Sequence, residues 1–358
     1  MAGAEDRLWA EVPLLSVVMP VHNAAAYLDA SVSSILAQTF PHFEFLIRDD
    51  GSTDGSHDIL QGWAGRDPRI RLHHGPRLGL AGAGNFLVSR ARGTYVARLD
   101  ADDIAHPERL ARQMEVLRAQ PDLALLGATS EFIDVSGAPL RPYDLSGLLL
   151  SRQSAPFAQS SIVFPKRVFE QVGGYRTACE YWEDLDLFLR ISDAGRVALL
   201  AEPLVQYRMA PTSSRLASDR SVVERALDLR CRCIDAHQRG DGYEDLLAAA
   251  AAGDRPSKLH PRTFIYLSAL ELWAGRPTPV LGPLLRRGDR RPTGLFAAAV
   301  LWSVWATLNP ATLRHAISLM VRVRNGFARR VIRPGKLYDW RPRRRGGLES
   351  EAVIRAAA

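Results

Sequence analysis

The chain has 358 residues and is 47% hydrophobic, which is enough for a sizeable core and for more than one domain. Its formal net charge is +7, yet residues 314–345 carry eleven Lys or Arg against one acid, so this segment holds +10 and the rest of the chain holds −3. This pattern excludes a nucleic-acid enzyme, whose cations would surround the active site instead of clustering near one end.

The first part of the chain alternates between apolar runs and helical periodicity. Strands are predicted at residues 14–20, 43–47, 69–73 and 94–99, and helices at residues 24–38, 56–64 and 85–91. The alternation indicates an α/β fold with a Rossmann-like, mainly parallel central sheet flanked by helices. Sheets of this kind bind ligands beyond the carboxyl ends of their strands.

The later part of the chain changes character. A helix is predicted at residues 107–117, strand regions at 123–135 and 161–165, and another helix at 181–192. Beyond residue 218 the chain is rich in Ala, Leu and Arg, with helical periodicity at 222–237 and 261–272. We therefore predict an N-terminal tail at residues 1–13, an α/β domain at 14–217 and a helical, basic C-terminal region at 218–358.

Three carboxylates, Asp100, Asp102 and Asp103, follow the predicted strand 94–99. Like charges at one strand end repel each other unless a cation or a bound ligand compensates them. Mg²⁺ and Mn²⁺ prefer such oxygen ligands, usually with substrate phosphates and water in the other positions. The alternative is a solvated strand end at which Asp102 or Asp103 caps the following helix.

Two more polar segments, residues 20–23 and 49–52, also follow predicted strands. Because carboxyl ends of parallel strands share one edge of a sheet, these segments and residues 100–103 are expected to converge on one crevice. Taken alone, residues 49–56 are also typical of an Asx turn followed by a helix N-cap. Convergence of three polar segments favours a binding site over three unrelated caps.

Three motifs resemble the landmarks of the family 2 glycosyltransferases, which are inverting enzymes with the GT-A fold. They are SVVMPVHNAAAYLDASVSSILAQTFPHFEFLIRDDGSTDGS at residues 16–56, GTYVARLDADD at 93–103 and YWEDLDLFLR at 181–190. Their order and spacing agree with that family, and the resemblance covers residues 14–214. It implies a nucleotide-sugar donor, expected to be a UDP-sugar, and a saccharide or lipid-linked saccharide acceptor.

The resemblance also implies roles for individual residues. Asp102 would bind Mn²⁺ or Mg²⁺, Asp100 would lie towards the donor ribose or a metal-bound water, and Asp103 would support them. Asp184 would be the general base that takes the proton of the acceptor hydroxyl. The other substrate-binding residues would be Pro20, His22, Asn23, Asp50, Gly51, Trp182, Glu183 and Arg208.

These roles have physical reasons, and some of the residues also have a purely structural explanation. The carboxylate of Asp50 can accept a hydrogen bond from the imide N–H of a uracil-type base, and Gly51 lets the backbone approach it closely. Arg208 could neutralise phosphate. Without the family, the acids at residues 183–186 would simply favour a helix N-terminus, where the dipole keeps a carboxylate such as Asp184 ionised.

Two positions depart from the family pattern. Many relatives carry an Arg immediately before the Asn of the third helix, whereas this chain has Gly84. A His often follows the Tyr-Arg pair by two residues, whereas this chain has Ala210. The second departure puts a histidine ligand from that loop in doubt.

The C-terminal region suggests a membrane surface as a partner. Residues 294–308 are uncharged, but these 15 residues are fewer than the roughly 20 needed to span a bilayer, and we interpret them as a buried helix. The neighbouring Arg-rich segment favours contact with anionic lipid. The N-terminus lacks the pattern of a secretory signal, so we expect a cytoplasmic protein, peripheral on the cytoplasmic face of the membrane.

Three rival functions fit the sequence less well. A sugar-phosphate nucleotidyltransferase would have a Gly-rich, basic loop after the first strand, and VHNAAAYL is not one. A dinucleotide-binding oxidoreductase is suggested by Gly79, Gly82 and Gly84, but their spacing is not that of its fingerprint. A non-catalytic nucleotide-binding, membrane-associated protein would have no need for the carboxylates.

Overall fold

The computed structural model describes residues 13–144, 157–209, 219–254, 260, 335–340 and 354–356. These residues form two compact units. One contains residues 13–144 and 157–209 together with the two C-terminal strand segments, and the other contains residues 219–254 and 260.

All strands of the described residues belong to one mixed sheet. They are β1 (Leu15–Val21), β2 (Phe43–Asp49), β3 (Ile70–His74), β4 (Tyr95–Arg98), β5 (Ile104–Ala105), β6 (Leu123–Ile133), β7 (Pro139–Asp144), β8 (Val163–Pro165), β9 (Arg196–Arg208), β10 (Leu337–Trp340) and β11 (Ile354–Ala356). The strand order is β11-β10-β9-β6-β8-β4-β1-β2-β3, while β5 pairs with β9 and β7 with β6. Parallel pairing joins β4, β1, β2 and β3, and also joins β6 to β9.

The first unit also contains six α-helices among its described residues, and the second unit contains two. They are α1 (Ala25–Leu36), α2 (Ser56–Ala64), α3 (Gly79–Arg90), α4 (Arg109–Ala119), α5 (Lys166–Gln171), α6 (Glu183–Ala194), α7 (Arg220–Arg239) and α8 (Glu244–Ala251). None of the helices in the described residues is long and apolar enough to cross a bilayer.

The core lies against the central parallel strands. Every residue of β1 and β2 is buried, as expected for strands covered on both faces. On one side α1 contributes Leu28, Val32 and Ile35, which are spaced so that they share one face of the helix. Each fully buried side chain of this kind contributes about 1.5–3 kcal/mol. The packed centre therefore fixes where the carboxyl ends of β1, β2 and β4 lie.

The predicted alternation of strands and helices is confirmed, but α3 begins earlier than predicted. The sequence favoured residues 85–91, whereas the helix starts at Gly79. Its first N–H groups are satisfied from another element, because the carboxylate of Asp50 accepts hydrogen bonds from Leu78 and Gly79. Because Asp50 is distant in sequence, the residues around Gly79 contain no recognisable start signal for the helix.

The longest strand, β9, was not predicted. Its sequence, RVALLAEPLVQYR, contains Glu202 and Pro203, which are rare in the interior of a strand. The structure accommodates Pro203 where the register of the β6–β9 pairing is shifted. The short C-terminal strands β10 and β11 lie in the predicted helical region, yet they extend the sheet from β9.

The helix predicted at residues 222–237 is confirmed as α7. Asp219 caps it by accepting a hydrogen bond from the N–H of Ser221 at 2.7 Å, and Gly240 ends it in the left-handed conformation with φ of 86°. The helices predicted at 261–272 and 294–308 lie outside the described residues. The proposed domain limits stay a prediction.

Candidate active site

Three polar segments leave the same edge of the sheet. Val21 is in register with Asp49 in the β1–β2 pair, and Val18 is in register with Arg98 in the β1–β4 pair. The backbone N–H of Leu99 continues this pairing by donating to Val18. Residues 20–23, 49–52 and 100–103 therefore begin side by side, as the sequence predicted.

The first two segments are hydrogen-bonded to each other. Pro20 is the buried register partner of Arg48. His22 donates from Nδ1 to the carbonyl oxygen of Asp50 at 3.1 Å, and Asn23 Oδ1 accepts from the N–H of Thr53 at 2.8 Å. Asn23 adopts φ of 52°, a left-handed conformation that Asn tolerates better than most residues. The two loops form one polar wall.

Asp50 is a buried carboxylate with several protein donors. Its Oδ1 accepts from Arg48 Nε at 3.1 Å, and its oxygens also accept from the N–H groups of Leu78 and Gly79 at 2.9–3.0 Å. Gly51 follows with φ of 75°, and a Cβ there would lie 3.2 Å from the backbone nitrogen of Arg77. Asp50 thus fixes the start of α3, and its recognition of a base stays a prediction.

The three acids after β4 lie in different surroundings. Asp100 and Asp102 are partly exposed, whereas Asp103 is buried. Asp103 accepts hydrogen bonds from the backbone N–H of Arg208 at 2.7 Å and from the hydroxyl of Ser160. Asp103 is therefore a structural anchor for the loop between β4 and β5.

Negative charge is concentrated in this acidic segment, residues 100–103. Burial and the neighbouring Asp100 raise the pKa of Asp102 to about 6, and burial, Asp102 and Asp100 raise the pKa of Asp103 well above its ordinary value. A divalent cation would offset this repulsion. Carboxylate oxygens are the donor type that Mn²⁺ and Mg²⁺ prefer, so Asp100 and Asp102 fit such an ion.

The alternative role of these acids as caps of the following helix is not observed. Helix α4 begins at Arg109, its N-cap is Glu108, and the N–H of Leu110 in its first turn donates to Oε1 of Gln38 at 2.9 Å. Asp102 and Asp103 therefore do not cap this helix.

Arg208 is buried and binds the backbone around the acidic segment. Its guanidinium donates to the carbonyl oxygens of Asp102, Asp134 and Val135 at 2.7, 2.8 and 3.1 Å, and it lies 4.8 Å from the ring centroid of Tyr27. The structure shows Arg208 holding the loop in place. Its contact with a donor phosphate stays a prediction. Ala210 lies outside the described residues.

Arg98, which sequence reasoning missed, lies fully buried behind the acidic segment. Its Nε donates to Asp100 Oδ1 at 3.0 Å, and its guanidinium carbon lies 5.4 Å from the ring centroid of Tyr175. Burial alone would lower the pKa of Arg98, but Tyr175, Asp100 and Glu183 raise it overall. Its one sequence signal is a cation inside an otherwise apolar strand.

Gly84 is explained by this buried guanidinium. A Cβ at Gly84 would lie 2.8 Å from the ring of Tyr175 and 3.1 Å from Nη1 of Arg98. The neighbouring Asn85 binds the backbone of Tyr175 through two hydrogen bonds of 2.8 Å. The absence of a side chain at residue 84 thus leaves room for a cation supplied by β4.

The acidic turn at the start of α6 holds the predicted base. Asp184 is partly exposed, and its Oδ1 accepts from the N–H of Leu185 at 2.7 Å, while Trp182 and Glu183 are buried. Tyr181 precedes them with φ of 71°, a strained conformation for an aromatic residue and one that clusters at functional sites. Since Arg98 interacts electrostatically with both Glu183 and Asp100, α6 begins close to the acidic segment.

Helix α6 is held in place by Asp186, in its first turn. The buried Asp186 forms an ion pair with Arg190, which also donates to the carbonyl oxygen of Gly174 at 2.7 Å. A buried, hydrogen-bonded pair of this kind is costly to break. It therefore fixes the direction in which the first turn of α6 presents Asp184.

A second group of metal-ligating side chains was not predicted. Asp49, His57 and His74 place one ligand atom each within 4.8 Å of one another, and the described residues contain no other group of three or more His, Cys, Asp or Glu with this geometry. The two histidines are far apart in sequence, and neither belongs to a recognisable metal motif.

The chain resembles known proteins over its first part. A family model described as glycosyl transferase family 2 matches residues 16–168. The putative glycosyltransferase EpsE of Bacillus subtilis (strain 168) is 31% identical over 190 residues, which cover 51% of this chain and 68% of that protein. The hyaluronan synthase of Pasteurella multocida is 31% identical over 195 residues, which cover 54% of this chain but 20% of that synthase. Across the first three synthases matched, the chain spans 20–27% of their length.

A solved structure supports the same fold. The mannosyltransferase PcManGT from Pyrobaculum calidifontis, in complex with GDP-Man and Mn2+, matches with a TM-score of 0.52 and 17% identity over 90% of this chain and 92% of that chain. At this identity the likeness concerns the fold alone. It confirms the predicted GT-A fold, with a mixed, mostly parallel sheet flanked by helices.

The burial of Arg98 predicts a large effect on stability. Arg98→Met removes the charged hydrogen bond to the partly exposed Asp100 and should lower the free energy of unfolding by about 1.5–3 kcal/mol. The matched change Arg112→Met removes an ion pair to Glu202 at the surface and should cost only about 0–1 kcal/mol. Urea denaturation of both variants measures the difference, and equal losses would contradict a special role for Arg98.

Proposed function

Because the chain belongs to glycosyltransferase family 2, as the resemblance in its sequence predicted, we propose that it transfers a sugar from a nucleotide-sugar, expected to be a UDP-sugar, to a hydroxyl group of a cell-envelope polysaccharide or glycolipid. The observation that carries the proposal is the convergence of the segments after β1, β2 and β4, with the acidic turn of α6 close by. The similarity to a hyaluronan synthase supports a polysaccharide acceptor, and the GDP-Man bound to the mannosyltransferase supports a nucleotide-sugar donor.

The nucleoside of the donor would bind against the polar wall of residues 20–23 and 49–52. His22 is half-buried and Asn23 is exposed, so both can meet a ligand. The left-handed conformation of Gly51 brings backbone, without a side chain, to this surface. Because Asp50 is held by three neighbouring donors, it would present its carboxylate to the base in a fixed orientation.

Asp100 and Asp102 would hold Mn²⁺ or Mg²⁺ beside the donor diphosphate. When bound, such an ion supplies Lewis-acid stabilisation to the departing nucleoside diphosphate. Arg98 holds Asp100 in place through its hydrogen bond of 3.0 Å. Arg208 and Ser160 hold the loop, so that Asp102 is presented on a rigid backbone.

Asp184 would act as the general base for an inverting transfer. The oxygen of the acceptor would form its bond to the anomeric carbon on the side opposite the leaving group, while the bond from that carbon to the diphosphate oxygen breaks. The proton of the acceptor hydroxyl would pass to the carboxylate of Asp184. Asp184 lies in the first turn of α6, and Glu183 and Trp182 would line the acceptor side.

We also propose that the protein works in the cytoplasm, peripheral on the cytoplasmic face of the membrane. The support is the charge of residues 314–345, which hold +10 while the rest of the chain holds −3. Cationic segments of this kind are attracted to anionic lipid headgroups. This placement would bring a lipid-linked saccharide acceptor close to the catalytic unit.

Asp102→Asn tests the metal role. Hydrolysis of UDP-sugars should depend on added Mn²⁺ in the unmodified protein and should fall by at least about 100-fold in the variant, because several kcal/mol of charge stabilisation are lost. Asp122→Asn changes an exposed carboxylate elsewhere and should leave the rate unchanged. Turnover that persists in EDTA would remove the metal from the mechanism.

Asp184→Asn tests the base. The variant should bind nucleotide-sugar and Mn²⁺ as the unmodified protein does, but transfer to an acceptor should fall by about 10²–10⁴-fold. The control is Asp193→Asn, at the exposed far end of the same helix. Comparable transfer by both variants would place the base elsewhere.

Replacing Arg343, Arg344 and Arg345 with Gln tests the membrane proposal. At about 1 kcal/mol for each cation, binding to vesicles that contain phosphatidylserine should weaken by about 100-fold. The pair Arg66→Gln and Arg118→Gln, which removes exposed cations outside the basic segment, should have a much smaller effect. Unchanged binding of the triple variant would refute the proposal.

A further inference from the structure

A histidine pair lies beside the polar wall and takes no part in the proposed transfer. Asp49 is the last residue of β2, His74 is the last residue of β3, and the two are register partners. His57 is the second residue of α2. Three separate elements therefore bring their side chains to one point at the edge of the sheet.

Both imidazoles point their Nδ1 atoms at a single oxygen. Nδ1 of His57 lies 2.9 Å from Asp49 Oδ2, and Nδ1 of His74 lies 3.0 Å from the same atom. The ring centroids are 4.5 Å apart, and all three ligand atoms lie within 4.8 Å of one another. Two nitrogens and one oxygen thus surround a small common volume.

We infer that Asp49, His57 and His74 form a binding site for a divalent transition-metal ion of the zinc class. Imidazole nitrogen with one carboxylate oxygen suits Zn²⁺, Co²⁺ or Ni²⁺, whereas Mg²⁺ and Mn²⁺ prefer oxygen donors alone. Ligands of zinc lie at about 2.0–2.2 Å, which sets neighbouring donors about 3.4 Å apart in a tetrahedral site. The present N–O separations of 2.9 and 3.0 Å are within about half an ångström of this spacing, and no two of the three ligand atoms lie more than 4.8 Å apart.

The carboxylate is prepared for this role. Asp49 is fully buried, and its Oδ1 accepts from the N–H of Ser52 at 3.0 Å, which leaves Oδ2 directed at the two rings. Burial would raise the pKa of Asp49, but the hydrogen bonds from Ser52, His74 and His57 hold it below its ordinary value. The ligand oxygen is therefore already oriented by hydrogen bonds.

The histidines provide access and support. The side chains of His57 and His74 are 32% and 54% exposed, so an ion can enter and water can complete its coordination. Nε2 of His57 lies 2.9 Å from the side-chain amide of Gln61, one helical turn further on. Rotation of that amide by about 180° would let its oxygen accept from Nε2–H, the kind of outer partner that metal-bound histidines have.

A bound ion would clamp the loop that follows Asp49. That loop carries Asp50, Gly51 and Ser52 before α2 begins, so a link from β2 and β3 to α2 fixes both of its ends. This site differs from the acidic segment in its donors and in the strands that form it. The inference does not depend on the proposed transfer.

The test is titration of the full-length protein, purified without a histidine tag, with Zn²⁺ against a chromogenic chelator. The unmodified protein should bind one equivalent through this site. His57→Gln and His74→Gln should each weaken that binding by at least about 100-fold. Loss of a residue that only orients a metal ligand weakens metal binding by about 10- to 100-fold, so a larger loss indicates a direct ligand. Gln retains a hydrogen-bond donor for Asp49, so these changes separate metal binding from hydrogen bonding.

Three measurements complete the test. His106→Gln, an exposed histidine elsewhere, and Asp102→Asn should both keep the equivalent of Zn²⁺. Co²⁺ should give visible absorption bands in the unmodified protein that both histidine variants lose. The variants without metal should melt within about 2 °C of the unmodified protein, which shows that they fold. Absence of stoichiometric binding, or equal binding by the Gln variants, would overturn the inference.

Discussion

The site depends on two arginine–aspartate pairs that hold carboxylates where strands end. Arg48 binds Asp50 at the end of β2, and Arg98 binds Asp100 at the end of β4, each through Nε at 3.0–3.1 Å. Alternate residues of an extended chain project to the same face, so an Arg two positions before an Asp is placed to meet it. Each pair allows a strand buried on both faces to end in a fixed negative charge.

Charge beyond these pairs needs further compensation. Arg109 is buried and donates to the carbonyl oxygen of Arg98 at 2.7 Å. Burial lowers its pKa to about 9, although Asp103 and Asp100 oppose the shift. Three cations, Arg98, Arg109 and Arg208, thus surround the acidic segment from behind. Asp100 and Asp102 are partly exposed to solvent. A divalent ion bound there would compensate the negative charge that the three arginines do not.

The spacing of apolar residues was sufficient to predict the strands and helices whose own sequences show a clear period. The predicted strands at β1 and β2 and the helix α2 were found because their apolar residues form short runs or share one face. The start of α3 and the whole of β9 were not found. Their stability comes from a carboxylate supplied by β2 and from pairing along β6, and neither is visible in the segment itself.

The same limit applied to the candidate site. Acidic residues at strand ends could be recognised, because folding alone does not favour them there. The partners of those residues could not be recognised. The contacts of Arg208 and Ser160 with Asp103 join segments more than 50 residues apart, and Arg98 is a buried residue of the strand itself. Sequence therefore indicated the chemistry of the site, whereas packing determined which groups are exposed to a ligand.

The adjacent residues Asp49 and Asp50 show this difference most clearly. Both are buried acids after the same apolar run, and the sequence does not distinguish their roles. Because successive side chains of a strand project to opposite faces, Asp50 meets Arg48 and the start of α3, whereas Asp49 meets His57 and His74. Asp50 faces a guanidinium and backbone N–H groups, which can only donate hydrogen bonds. Asp49 faces imidazoles that can exchange a proton for a metal ion, so the alternation of the strand gives two neighbouring carboxylates different chemistry.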